Sequence, residues 1–238
     1  QLDNFVEIAK VFNIDQGLIE KIVEANETLK NSLIEAVKEL HPEHVFVVAE
    51  EKSKKCHQFL DHFLSQGGKI YSTNYDLLLY WVLMRNESKL AIDGFGRELE
   101  NAEEVKKGAE QEWSELRWGV NKEKQTIFYL HGTLPIFDTG IEIEKEQYDS
   151  QHWLLEKVSE RMENKAYPIF VTAGNAQEKL NHIMHNKYLA YCYDNFSNIE
   201  GSLITFGCNF GQYDTHIIDA INKASKQGMQ SGNKLLSI

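Results

Sequence analysis

Two short stretches of this sequence carry side chains that can bind a polar substrate and move protons. Asn74 and Asp76 lie two residues apart in the stretch STNYD, and His131 is followed directly by a glycine. An amide both donates and accepts hydrogen bonds, and an imidazole titrates near neutral pH and can serve as a general base. These three residues are therefore the first candidates for a functional site.

Each candidate follows a predicted strand. Short apolar runs predict strands at residues 69–73 and 126–130, directly before the candidates, and at 168–172 and 202–206. The last two runs end in Ala173-Gly174-Asn175 and in the glycine-containing stretch 207–211. Ligands of an open parallel sheet bind outside the carboxyl ends of its strands, so we expect all four strand ends to meet at one edge.

The order of elements predicts an α/β fold. Most predicted strands are uniformly apolar and alternate with helical patterns, which favours a Rossmann-like, mostly parallel sheet with helices on both faces. Residues 1–41 predict a helical segment, and the polar, acidic stretch 97–124 predicts an insertion or lid. Further strands are predicted at 44–49, at 89–92 and from 235 onward. The simplest interpretation is one domain over residues 1–238.

Composition excludes several classes of function. The chain has 238 residues, with 25 basic and 36 acidic residues and a net charge of −11, which disfavours binding to nucleic acid or to an anionic membrane. No apolar run approaches the roughly 18 residues of a membrane span, and no signal peptide opens the chain. Three scattered cysteines contain no C-x-x-C pair, which disfavours a disulfide scaffold and indicates a cytoplasmic protein.

In this context the chain resembles the sirtuin-like domains. The stretch Ser72–Asp76 resembles the T-x-N-x-D motif of that family, and His131-Gly132 resembles its catalytic His-Gly pair. The segment Ile204–Asp214 (ITFGCNFGQYD) resembles the late strand and loop that contact NAD. Its pattern F-G-x-x-x-G-x-x-D before an apolar helix is typical of bacterial sirtuin-like domains in antiphage defence. The resemblance extends over about residues 44–238.

The resemblance implies hydrolysis of NAD at the bond between nicotinamide and ribose, giving nicotinamide and ADP-ribose without a metal. Asn74 would orient the ribose hydroxyls or the attacking water, and His131 would act as general base. Asp76 would support the loop or stabilise positive charge at the nicotinamide end. The implied biological role is depletion of NAD when a phage infects a bacterial cell.

The resemblance also implies which residues bind NAD and which partners the protein has. The glycines among them would let backbone amides approach the cofactor closely. We expect a homo-oligomer, with a partner defence protein as a possible trigger, and no direct contact with nucleic acid or membrane. The predicted NAD-binding residues are Thr73, Tyr75, Gly132, Gly207, Cys208, Asn209 and Gly211.

Two departures from the family pattern bear on the activity. Sirtuin deacylases carry a zinc module with two C-x-x-C pairs, which this chain lacks, so NAD hydrolysis is favoured over deacylation. The glycine-rich loop with which the family binds the NAD phosphates does not precede the first predicted strand. We therefore expect either that this loop lies upstream of Gln1 or that the protein binds the pyrophosphate in a different way. A non-catalytic NAD or ADP-ribose sensor, or an interaction module, is the main alternative.

The candidate residues also have purely structural interpretations. Asn74 and Asp76 are typical of turns and helix caps, a histidine at a strand end is often structural, and the stretch 207–211 would serve as a plain connection. His182 and His185 share one helix face and could bind a metal, but no third ligand is predicted for them. We therefore interpret that pair as structural or exposed.

Overall fold

The computed structural model describes residues 16–147, 152–171, 174–231 and 235–238. It is a mixed α/β structure. The chain divides into two compact units, the first formed by residues 1–48 and 148–166 and the second by residues 49–147 and 167–238. The assignment of residues 1–238 to one domain stays a prediction.

Helices and strands alternate along much of the described chain, with short 3₁₀ turns at residues 45–47, 122–124 and 212–214. The helices are α1 (Gln16–Leu40), α2 (Glu50–Leu64), α3 (Leu78–Arg85), α4 (Ala102–Val105), α5 (Leu154–Glu163), α6 (Ala176–His185), α7 (Lys187–Ser197) and α8 (Thr215–Ser231). The strands are β1 (Ile70–Ser72), β2 (Phe95–Gly96), β3 (Arg117–Trp118), β4 (Ile127–Tyr129), β5 (Gly132–Asp138), β6 (Ile143–Lys145), β7 (Pro168–Phe170), β8 (Gly201–Ser202) and β9 (Leu235–Ser237).

In the first unit, α1 packs against α5. Both helices bury apolar side chains at helical spacing, among them Ile19 and Val158. The strand predicted at 44–49 is wrong: Val45–Val47 forms a 3₁₀ turn, started where the His44 ring accepts a hydrogen bond from the Phe46 backbone N–H at 3.2 Å. Phe46 is 62% exposed, so this apolar run does not enter a sheet.

The second unit holds three small sheets. Strands β1 and β4 pair in parallel, as do β8 and β9, whereas β2-β3-β6-β5-β7 form a five-stranded antiparallel sheet. The largest sheet is thus antiparallel, contrary to the prediction of a mostly parallel one, and a Rossmann-like arrangement is not confirmed. The difference arises because residues 132–145 form the hairpin β5–β6, which the sequence pattern did not reveal.

Two other predicted strands are reduced or absent. Residues 89–92 do not form a strand. The Thr126 hydroxyl donates to the Leu90 carbonyl at 2.6 Å and accepts from the Ile92 N–H at 2.9 Å, and the Ile92 carbonyl accepts from the backbone N–H groups of Thr126 and Ile127. Of the strand predicted at 202–206, only Ser202 is in β8, and Phe206 is 84% exposed. The stretch 97–124 is largely irregular but includes the short α4 and β3, and its assignment as an insertion or lid stays a prediction.

The core of the second unit gathers apolar side chains from helices and strands around the β1–β4 pair. Tyr71 of β1 stacks on Phe128 of β4 at 4.9 Å between ring centroids and also contacts Phe196 of α7. Other core members include Leu60, Leu64, Val82, Ile127, Ile136, Ile183, Leu189, Ile217 and Ile221. Among the described helices, none combines the length and the apolar character needed to cross a membrane.

A glycine marks the point where the chain passes from the parallel pair into the antiparallel sheet. Gly132 has φ +78°, a backbone conformation that residues with a Cβ seldom adopt. A Cβ built at this position would overlap the carbonyl oxygen of Ile169 in β7. The close approach of β5 to β7 therefore requires glycine here, independently of any role in binding.

We predict that Gly132→Ala lowers the free energy of unfolding by more than about 2 kcal/mol, because backbone strain and steric overlap add. Gly140→Ala is the matched control: its φ is +84°, but no atom of the described residues lies within 4 Å of the added Cβ, so strain alone remains, about 1 kcal/mol. Urea unfolding of both variants measures the difference. Equal losses would show that the contact with Ile169 is not a constraint.

Candidate functional site

The parallel pairing of β1 with β4 brings two of the sequence motifs together. Ser72 is paired with Tyr129, and the Leu130 N–H donates to the Ser72 carbonyl at 2.8 Å. Immediately beyond this pair, the His131 ring lies close enough to the Thr73 backbone for that backbone to raise the pKa of the imidazole. The histidine of the His-Gly pair therefore lies beside the start of the T-N-Y-D stretch at the carboxyl end of both strands.

The ring of His131 also contacts a second histidine. Its Nε2 lies 2.8 Å from Nε2 of His216 in the first turn of α8, and the two rings are nearly parallel, with centroids 5.1 Å apart. Both residues are buried, His131 at 5% and His216 at 1% exposure. One Nε2 must donate and the other accept, so at least one of the two imidazoles is neutral.

Burial and neighbouring charges hold this pair in the neutral form. Desolvation, with smaller contributions from His216 and Lys179, lowers the pKa of His131 to about 4, although Asp214 and the Thr73 backbone act in the opposite direction. Desolvation also lowers the pKa of His216. An unprotonated imidazole at neutral pH is able to accept a proton or bind a cation.

An acidic and a basic side chain complete the cluster. Asp214 ends the 3₁₀ turn before α8, and its Oδ1 lies 2.9 Å from Nζ of Lys179, which is 9% exposed. Lys179 is placed in the first turns of α6 by Asn175, whose side chain accepts hydrogen bonds from the backbone N–H groups of Gln177 and Glu178. The ion pair thus links the start of α6 to the start of α8.

Sequence reasoning missed His216 and Lys179. Asp214 closed the segment that resembles the NAD-contacting loop, and His216 follows it by two residues, so the pattern Asp-x-His at a predicted helix start was an available signal. No sequence signal marked Lys179, because a single lysine near the start of a polar helix is common. The predicted strand end at Thr172 and Ala173 lies outside the described residues.

The stretch from Asn74 to Asp76 forms an exposed turn between β1 and α3. The Asn74 side chain is exposed and has no hydrogen-bond partner among the described residues. Asp76 accepts a hydrogen bond from the Leu78 backbone N–H at 2.8 Å, so its carboxylate satisfies the first N–H of α3, while Leu77 is the residue at the helix N-cap. Tyr75 stacks on Phe170, with ring centroids 5.6 Å apart. The catalytic and NAD-binding roles of these residues stay predictions.

The glycine-containing loop before α8 is exposed along most of its length. Gly207 has φ +70°, so the backbone there favours glycine. Gly211 has φ −67°, which any residue can adopt, and its N–H donates to the Asn209 side chain at 3.1 Å. Cys208 and Asn209 are both exposed. The loop leads directly to Asp214 and His216, which places its end beside His131.

A buried threonine holds the exposed turn against the sheet. Thr133 is 1% exposed, and its hydroxyl lies 3.1 Å from the Tyr75 carbonyl and 3.0 Å from the Asp76 carbonyl. The Leu134 N–H also donates to the Tyr75 carbonyl, at 2.9 Å. These bonds fix the backbone that carries Asn74.

We predict that Thr133→Val releases this turn, because valine has the shape of threonine without its hydroxyl and leaves the Asp76 carbonyl unpaired. The free energy of unfolding falls by about 1–2 kcal/mol, and amide hydrogen exchange accelerates at residues 74–78. Thr133→Ser keeps the hydroxyl and is the control, with slow exchange at these residues. Similar exchange in the two variants would contradict the assigned role.

Comparison with known proteins gives one positive result. No curated protein matches the chain. Residues 2–231 match a protein family described as "Domain of unknown function (DUF4917)". Since the match covers almost the whole chain, this protein belongs to the DUF4917 family.

Proposed function

We propose that the protein hydrolyses NAD⁺ to nicotinamide and ADP-ribose at the carboxyl end of β1 and β4, in a Rossmann-like arrangement. The observation that carries this proposal is the position of His131, which contacts both the Thr73 backbone and the His216 ring. Through these two contacts the three motifs shared with sirtuin-like domains meet in one cluster. A convergence of this kind favours one site over three unrelated structural features.

The reaction needs a base but no acid. Nicotinamide carries a positive charge while bound to ribose and leaves as a neutral molecule, so its departure needs no added proton. The oxygen of water bonds to the anomeric carbon as the bond to nicotinamide breaks, and a proton passes from that water to His131. Because burial keeps His131 unprotonated at neutral pH, its Nε2 accepts the proton once the water replaces His216 as its partner.

Asn74 is assigned to the substrate. Its exposed amide has no partner among the described residues, and both its N–H and its C=O are available to ribose hydroxyls or to the attacking water. Asp76 stays bound to the start of α3 and contributes negative charge near the developing oxocarbenium ion. The loop of Gly207–Gly211 supplies backbone groups to the cofactor.

The wider role follows from the same resemblance. An NADase of this type would act in the cytoplasm of a bacterial cell, deplete NAD on phage infection, and be switched on by oligomerisation or by a partner defence protein. The acidic net charge of −11 agrees with a protein that does not bind nucleic acid directly.

The direct test measures nicotinamide release from NAD⁺ by the full chain, both purified and in phage-challenged bacterial cells that express it. We predict that Asn74→Ala lowers the rate at least tenfold and that His131→Ala lowers it about 10²–10⁴-fold. Gln58→Ala is the matched control, since it removes another exposed amide, on α2, and keeps the wild-type rate.

Two results would overturn the proposal. Nicotinamide release that is equal in wild type and in the Asn74→Ala/His131→Ala double variant would separate the activity from this site. NAD⁺ that stays intact in both assays would exclude hydrolysis, and binding of NAD⁺ measured by calorimetry in that case would identify a sensor instead.

A further inference from the structure

The cluster around His131 contains the ligand groups of a metal site. One ring nitrogen of His131, one of His216 and one carboxylate oxygen of Asp214 all lie within 4.8 Å of one another. Two imidazoles and a carboxylate form a donor set that Zn²⁺ commonly accepts. We propose that these three residues bind a zinc ion, which replaces the hydrogen bond between the two imidazoles.

The distances require only a small rearrangement. Nitrogen ligands lie about 2.0–2.1 Å from zinc, so two of them at a tetrahedral angle are about 3.3 Å apart. The two Nε2 atoms are now 2.8 Å apart, and the rings must therefore separate by about 0.5 Å. The rings already present these atoms to each other, and the ion lies beside the line that joins the two nitrogens, as the tetrahedral angle requires.

Neighbouring groups suit the ligands. A metal-bound histidine usually donates its other ring N–H to a backbone or carboxylate oxygen, and His131 has such a contact with the Thr73 backbone. Lys179 holds Oδ1 of Asp214, so Oδ2 is left for the ion. The buried Nδ1 of His216 has no hydrogen-bond partner among the described residues, so on this ring the nitrogen remote from the ion has no partner of that kind.

The ion has a route to the site and room for a further ligand. The two histidines are buried, but the Asp214 side chain is 36% exposed and connects the cluster to solvent. Three protein ligands leave the fourth tetrahedral position of zinc to water.

Binding of zinc at this site would determine whether His131 can act as a base. A nitrogen that holds zinc cannot accept a proton, so zinc bound to Nε2 of His131 blocks hydrolysis of NAD⁺. This inhibitory effect rests on the proposed function, whereas the binding of zinc does not depend on it.

The test titrates Zn²⁺ into the full chain, purified without a polyhistidine tag, in competition with a chromophoric chelator. We predict one tightly bound zinc per chain. Asp214→Asn keeps an oxygen for Lys179 but removes the carboxylate charge, and we expect it to weaken the affinity at least tenfold. His216→Gln removes a ligand and weakens it further, with circular dichroism reporting whether this buried substitution leaves the chain folded.

The matched control removes the exposed histidine pair of α6. His182→Gln/His185→Gln takes away two imidazoles that belong to no group of three ligands among the described residues, so the zinc affinity stays at the wild-type value. Co²⁺ in place of zinc gives a second measurement, since a tetrahedral site produces strong visible absorption that Asp214→Asn alters.

The outcomes separate the two proposals. Absence of tight zinc binding, or binding that survives Asp214→Asn and His216→Gln but is lost with the α6 pair, would overturn the zinc site. Zinc binding by a chain that releases no nicotinamide even when it is free of zinc would leave this site standing and overturn the NADase. Zinc binding together with loss of nicotinamide release supports both.

Discussion

The lack of a side chain at Gly132 is the constraint on which the candidate site depends. The carbonyl of Ile169 occupies the space that a Cβ would need, and this close approach joins β5 to β7. On the other side of the glycine, the His131 carbonyl accepts a hydrogen bond from the Val171 N–H at 2.8 Å. The backbone of His131 is therefore held by the antiparallel sheet, while its ring reaches across the end of the parallel pair.

A second physical feature of the candidate site is that several polar side chains are buried together around His131. Two imidazoles, a lysine and a partly exposed aspartate would each be costly to bury alone, and they lie here in contact with one another. The mutual hydrogen bond and the ion pair offset part of that cost. Replacing a buried ion pair by packed apolar side chains of similar volume is often neutral or stabilising, so these polar contacts are weak evidence for stability.

Sequence patterns predicted the elements whose signals are local. The apolar runs at 69–73 and 126–130 predict strands close to β1 and β4, and helical patterns at 177–185, 187–197 and 215–225 predict helices close to α6, α7 and α8. These predictions agree because strand propensity and helical spacing act within one segment. The hairpin β5–β6 was missed because its turn and its interior Pro135 resemble a loop. The apolar runs at 44–49 and 202–206 predicted strands that are absent or shorter, because apolar residues in these runs are exposed and do not enter a sheet. Val45–Val47 is a 3₁₀ turn, and Phe206 is 84% exposed.

The candidate site was also predictable only in part, because some of its contacts join residues that are distant in sequence. Strand-end motifs identified His131 and the Asn74 turn, since in a parallel sheet such residues meet at one edge. The partner of His131 could not be read from the sequence, because His216 lies 85 residues away and no local pattern links the two. The Asp76 carboxylate, one of the strand-end candidates, accepts a hydrogen bond from the first backbone N–H of α3, and its catalytic role stays a prediction.

The distance of 85 residues along the chain between His131 and His216 has a consequence for how the protein folds. Contacts between distant residues form after local helices and hairpins, because the entropy of closing a long loop must be offset before such contacts stabilise anything. The imidazole pair joins residues 85 apart and also requires the parallel pairing of β1 with β4. We therefore expect the imidazole pair to form after the local helices and hairpins, once β1 and β4 have paired.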